Sequence, residues 1–165
     1  MDEDLVNLVA KTIPSLSSIF MGVIPKNQII HHVISKKHTH KAVIVNTDEY
    51  GQKGSHWVAI FSPQNTNTIF YFDSYGLNPS YDFHIMALIK SFGKKRLFHS
   101  NVALQSLDSS VCGLYCIYFL YIMSLNKHTY IQFINMFSKN VYLNDQNIRN
   151  VFHEIFVRLR KPIVY

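Results

Sequence analysis

The sequence predicts an α+β fold in which a small sheet, formed in the middle of the chain, is covered by helices from both ends. Three observations carry this. Short runs rich in Val, Ile, Phe, Tyr and Trp lie between residues 42 and 73 and are bounded by turn residues, as strands are. The segments before and after repeat their apolar residues at helical spacing. One stretch, Val111 to Leu125, is apolar on nearly every face, which suits a buried central helix. With 165 residues, 48% apolar and 16% charged, the chain can bury its own core, and residues 1–165 are expected to form one domain without repeat or linker.

A first helix is expected over Asp4 to Lys11, where Leu5, Leu8 and Val9 follow acidic residues and Pro14 would end it. A second is expected from Lys26 to Ser35. Strands follow at Ala42 to Asn46, His56 to Phe61 and Thr68 to Asp73. Next comes a helix over Tyr81 to Phe92, capped by Ser80 and closed by Gly93. A short strand is expected at Val102 to Leu104. The rest is helical by pattern: Cys112 to Leu125, Tyr130 to Phe137 after Thr129, and Gln146 to Arg160 with Ile148, Val151, Phe152, Ile155, Phe156 and Leu159 on one stripe.

Several function classes are set aside. The acidic start Met1-Asp2-Glu3-Asp4 is unlike a secretory leader, and the longest apolar stretch holds Gly113, tyrosines and Ser124 and falls short of the ~20 residues a bilayer requires. The only cysteines, Cys112 and Cys116, are too few and too close for a disulfide scaffold or structural zinc. His31-His32 and His38-x-His40 lack acidic or cysteine co-ligands, so they read as exposed histidines, and no metal or other cofactor is expected. Sixteen Lys+Arg against ten Asp+Glu give +6, which favours polyanionic surroundings. DNA contact is expected through Lys36, Lys37, Lys41, Lys94, Lys95 and Arg96; for any one cluster, or for Arg158-Leu159-Arg160-Lys161, solvated charge is the simpler account.

Two places carry chemistry. The strands at His56 and Thr68 are joined by a six-residue polar loop, Ser62 to Asn67, suited to an antiparallel hairpin. If Phe61 faces Thr68, His56 faces Asp73, with Cβ atoms roughly 4.5–5.5 Å apart. A one-residue slip would send Asp73 to the other face. An arbitrary His and Asp would more simply end two strands at a wet edge. The second place overturns that: Asp108, Ser109 or Ser110 can cap a helix whose first turn holds Cys112, where the helix dipole favours thiolate. Gly113 allows close approach, first-turn N–H groups can face an oxyanion, and Gln105 adds an amide donor. Cys116, one turn deeper, reads as a small buried hydrophobe. Together these predict acyl transfer through a thioester: Asp73 orients His56, His56 takes the Cys112 proton, and Gln105 with backbone N–H groups holds the oxyanion.

Gly54-Ser55-His56-Trp57-Val58-Ala59, Phe72-Asp73-Ser74-Tyr75-Gly76, Gln105-Ser106 and Cys112-Gly113-Leu114-Tyr115-Cys116 together resemble adenain, the adenovirus maturation protease family, in the clan of the ubiquitin-like-protein proteases. Phe20 to Ile24 and Ala42 to Thr47 extend the likeness to roughly residues 16 to 125. The resemblance implies a papain-like cysteine protease core, with a mixed or antiparallel sheet and a buried central helix carrying the nucleophile. It implies His56, Asp73 and Cys112 as triad, Gln105 as oxyanion donor, and Trp57 beside the imidazole.

It further implies viral capsid precursors as substrates, DNA as a stimulator, and location in the virion and in host cytoplasm or nucleus, in an adenovirus-related virus, virophage or Maverick-type element. A monomer without membrane attachment is expected. Adenain carries glutamate where Asp73 stands, and its activating peptide is disulfide-tethered upstream of the glutamine motif, whereas Lys94-Lys95-Arg96-Leu97-Phe98-His99 has no cysteine. Any activating peptide is therefore expected to bind non-covalently. The part beyond Leu125 is shorter than adenain's and does not align. The competing readings are a ubiquitin-like-modifier isopeptidase and a non-catalytic basic DNA- or capsid-binding protein; the intact His, Asp, Gln and Cys weigh against the latter.

Overall fold

The computed structural model describes residues 3–28, 41–51 and 55–159. Helix α1 (Glu3–Thr12) buries Val6, Val9 and Ala10. Pro14 then does two jobs, stopping α1 and, with its φ pre-set, opening the four-residue α2 (Pro14–Ser17) at its first position. The expected helix over Lys26 to Ser35 is a 3₁₀ turn at Lys26–Gln28; its remainder lies outside the described residues, as do Lys36, Lys37 and the His31-His32 and His38-x-His40 pairs.

Five strands form one mixed sheet in chain order, β1 (Phe20–Pro25), β2 (Lys41–Asn46), β3 (Trp57–Ser62), β4 (Thr68–Phe72) and β5 (Arg96–Phe98). The central three are antiparallel, and both edges pair in parallel. β1 was not expected as a strand because Gly22 and Pro25 interrupt its pattern. Gly22, at φ +116, sits where the β1 register shifts, and the N–H of Val23 donates to Asn7 Oδ1 of α1 at 3.1 Å. β5 hides in a basic run, and the strand expected at Val102 to Leu104 is not a strand. There the N–H groups of Leu104 and Gln105 both donate to Ser74 O, at 2.8 and 3.1 Å, so this stretch hangs on the turn after β4 without joining a ladder.

Every residue of β3 is buried, because the sheet is covered on both faces. Val58 and Ile60 pack with Ile85, Leu88 and Ile89 of α3 (Phe83–Ser91), while Trp57, Ala59 and Phe61 pack toward α4 (Cys112–Ser124). Asp82, not Ser80, caps α3, accepting from the N–H groups of His84 and Ile85; Ser80 lies in a preceding 3₁₀ turn that Asn78 caps. Gly93, at φ +66, closes α3 as expected. Ten of the thirteen residues of α4 are buried, so it has no solvent face and serves as the rigid axis of the molecule.

Behind α4 come α5 (Tyr130–Ile134), capped by a reciprocal Thr129–Gln132 box, and α6 (Val141–Leu159). α6 starts before the expected Gln146 because Asn140 Oδ1 accepts from the N–H groups of Tyr142 and Leu143. Phe72, Phe119 and Phe133 interlock with ring centroids 4.9 to 5.4 Å apart, each fully buried ring contributing about 1.5–3 kcal/mol.

Candidate active site

The hairpin delivers His56 and Asp73 to one end of the sheet, though not by the expected register. Phe61 pairs with Phe70, Ile60 with Tyr71 and Ala59 with Phe72, two residues away from the predicted alignment. An even slip preserves the face of every side chain. His56 and Asp73 therefore still share a face, just beyond the ends of β3 and β4, and meet diagonally with Nε2 3.0 Å from Oδ1. The approach is that of an ion pair with the carboxylate off the ring N–H axis, since neither ring nitrogen makes a straight hydrogen bond.

Both groups are fixed by their backbones. The carbonyl of His56 accepts from Thr47 N–H at 2.9 Å and Thr47 Oγ at 3.0 Å. Asp73 Oδ1 accepts from Tyr75 N–H at 2.7 Å, an Asx turn, and Oδ2 from the Tyr71 hydroxyl at 3.4 Å. Burial, reinforced by the charge of Asp73, pushes the Tyr71 phenol up, so it remains a donor.

The imidazole is poised toward the charged form. Burial lowers its proton affinity, but the close polar approach and charge of Asp73 and of Cys112 outweigh that cost and bring it up to about 9. Nε2 faces Asp73, and Cys112 is the other group that acts on the ring.

Cys112 opens α4, behind Val111, and none of Asp108, Ser109 or Ser110 caps the helix through its side chain. The N–H groups of Leu114 and Tyr115 fold back onto Val111 O; among the described residues no hydrogen bond engages those of Cys112 or Gly113. An uncapped first turn next to a thiol is what an oxyanion can use. Cys116 is sealed, with its Sγ–H donating to Trp57 O at 3.3 Å and burial pushing the thiol well up. That bond ties α4 to the residue after His56. Trp57 itself belongs to the core.

The ring stacked on the imidazole is that of Tyr75, with centroids 4.6 Å apart and planes at 29°. Its hydroxyl donates to Ser109 O at 3.3 Å and accepts from Gln105 Nε2 at 3.3 Å. Gln105 is buried, with Oε1 accepting from Ser74 Oγ–H at 2.6 Å while Nε2 also donates to Ser109 O at 2.8 Å and Ser109 Oγ at 3.1 Å. All four predicted residues thus occupy one connected region. Tyr75 and Ser74 were missed as functional candidates; an aromatic and a hydroxyl beside an aspartate in a tight turn were the available signal.

Gly76 lets the two halves of the site meet. At φ +72 a Cβ there would lie 2.8 Å from the backbone carbons of both Asn101 and Val102, in the segment that delivers Gln105. Gly76→Ala is expected to cost about 3 kcal/mol, from left-handed backbone strain plus a collision with main chain, read as the shift in the urea midpoint. A change under about 0.5 kcal/mol would mean the segment yields freely.

Of the basic candidates, Lys41 lies over the Phe92 ring at 5.5 Å and Lys94 Nζ bonds to the Pro63 and Thr66 carbonyls, while Lys95 and Arg96 are exposed. Among the described residues no cluster of metal-ligating side chains occurs, and no helix is long and apolar enough to cross a membrane.

The adenovirus endoprotease family profile matches residues 20–160. The chain belongs to the adenovirus endoprotease family. The match reaches past Leu125 and so takes in the helices that the motif-based resemblance left unaligned. A protease of frog adenovirus 1 is 32% identical over 128 residues, covering 71% of this chain and 60% of that protein. A protease of bovine adenovirus C serotype 10 is 32% identical over 97 residues, covering 52% and 49%. The chain thus spans 60% or less of the length of these two relatives.

Among solved structures, the ASFV protease superposes with a TM-score of 0.58 at 17% identity, covering 78% of this chain and 60% of that one. SUMO protease Ulp1 superposes with a TM-score of 0.50 at 16% identity, covering 80% and 71%. At these identities the likeness is one of fold, and it is the α+β fold that the endoprotease motifs implied.

Proposed function

We propose that this endoprotease-family chain is a cysteine endopeptidase that cuts viral precursor proteins through a Cys112–His56–Asp73 triad. The observation that carries the reading is the meeting of an Asp73-paired imidazole with a sulfur at the uncapped start of a buried helix. With its value brought up to about 9, His56 is a competent base for the Cys112 proton. The thiolate attacks the scissile carbonyl; the uncapped N–H groups of α4 and one Gln105 N–H, released from its hydroxyl partners, take the oxyanion. The imidazolium then protonates the leaving amine, and water hydrolyses the thioester with His56 as base.

With one cysteine as nucleophile and the other sealed against Trp57, any activating peptide is held without a disulfide. DNA contact, on this reading, falls to Lys95 and Arg96 among the described candidates. The test is to incubate the protein separately with a viral capsid precursor and with a ubiquitin-like-modifier conjugate, and to map new termini by mass spectrometry. Discrete cuts in the precursor alone are expected. Release of the modifier alone would replace the proposal with isopeptidase activity, and no cut in either would remove it.

A further inference from the structure

The last helix reaches the site through a buried polar clamp. Asp145, on α6, is 3% exposed. Its Oδ2 accepts from Ser106 N–H at 3.2 Å and Ser106 Oγ–H at 2.6 Å, and its Oδ1 from the Tyr115 hydroxyl at 2.9 Å. Next to it, Asn144 Nδ2 donates to Leu104 O at 3.1 Å and Ser138 O at 2.9 Å. The two residues flanking Gln105 are thus both held from α6, and Ser74 holds Gln105 itself. A buried carboxylate costs several kcal/mol unless its oxygens are satisfied. Here three donors satisfy it, and two of them belong to Ser106.

We propose that Asp145 is a positioning residue for catalysis, which fixes the Ser106 backbone and thereby aims the Gln105 amide at the oxyanion. Asn144 holds the other side of the same segment through Leu104 O. The proposal rests on the oxyanion-donor reading of Gln105. Physically, the loop from Leu104 to Val111 has no ladder of its own, so its placement depends on the main-chain and side-chain bonds to Ser74 and on side chains from α6. A displacement of about 1 Å at a reacting centre can cost on the order of 10²-fold in rate.

The test compares Asp145→Asn, Gln105→Ala and their combination in three assays: steady-state cleavage, affinity for a peptide aldehyde, and alkylation of Cys112 by iodoacetamide. The aldehyde's hemithioacetal bears an oxyanion, whereas alkylation is a displacement at saturated carbon that forms none. Asp145→Asn is expected to lower kcat about 10–100-fold with KM within about two-fold, to weaken the aldehyde by a similar factor, and to leave alkylation at its wild-type rate. In the Gln105→Ala background it should add nothing.

An equal loss in that background, or a matching fall in alkylation, would make Asp145 a structural residue and overturn the proposal. If Gln105→Ala alone leaves cleavage and aldehyde binding at wild-type levels, the oxyanion-donor reading is what fails. Should Asp145→Asn not fold, Ser106→Ala, which deletes the 2.6 Å bond and keeps the backbone donor, takes its place with the same expected pattern, and unchanged kcat there would overturn the proposal.

Discussion

Cys112→Ala is expected to remove precursor cleavage by roughly five to six orders of magnitude while leaving the fold intact. Cys112 is only 8% exposed and alanine fits its space, so circular dichroism should be unchanged and the thermal midpoint should move by no more than a few degrees. Cys116→Ala is the matched control. It breaks the bond to Trp57 O and opens a small void, costing about 1–2 kcal/mol, yet most turnover should survive. Cleavage lost in Cys116→Ala and kept in Cys112→Ala would invert the assignment of the two thiols.

Asp73→Asn is expected to lower kcat by about 10³–10⁴-fold, since a neutral amide neither orients the imidazole nor stabilises its charge. The pH profile supplies a second reading. In the wild type, activity should fall on the alkaline side near pH 9, where the imidazolium that protonates the leaving amine loses its proton. Burial opposes that charge and Asp73 sustains it, so Asp73→Asn should move the alkaline limb to lower pH. An unmoved limb would assign Asp73 a purely structural part.

Stability follows the same sign. Because the folded-state value lies above the unfolded ~6.5, protonated His56 favours the fold fully below that value. The contribution shrinks as pH rises and is gone above about 9. Wild-type stability should therefore decline across that window more steeply than that of Asp73→Asn.

The parts of the molecule legible in the sequence were those set by local pattern. The three central strands, the helix carrying Cys112 and the amphipathic α1 follow from period and propensity. The hairpin register did not, because its connection is held from outside: Asn67 accepts from the backbone N–H groups of Lys95 and Arg96, and Lys94 binds the Pro63 and Thr66 carbonyls. β3 runs through Ser62 and β4 starts at Thr68, with Phe61 opposite Phe70, and a hairpin read alone cannot register those contacts. His56 and Asp73 still meet because an even slip keeps the side-chain face.

The cap expected before Cys112 failed for a related reason. Of the three candidates, Ser109 is drawn into the Gln105 network, which only tertiary folding assembles. Asp145 did leave a trace, lying in helical phase with Ile148 and Phe152, both buried. An acid continuing an apolar stripe calls for a buried partner, and that partner came from Ser106, on a loop distant in sequence.

The sulfur bonded to Trp57 O has one more consequence. A colourless aromatic disulfide that turns yellow on exchange would register a single reactive group per molecule while the chain is folded, and a second only as the helix parts from β3. The protein therefore carries its own internal gauge of global opening, placed one helical turn below its reagent, and the pace at which that second equivalent appears would clock how often the whole layer comes apart.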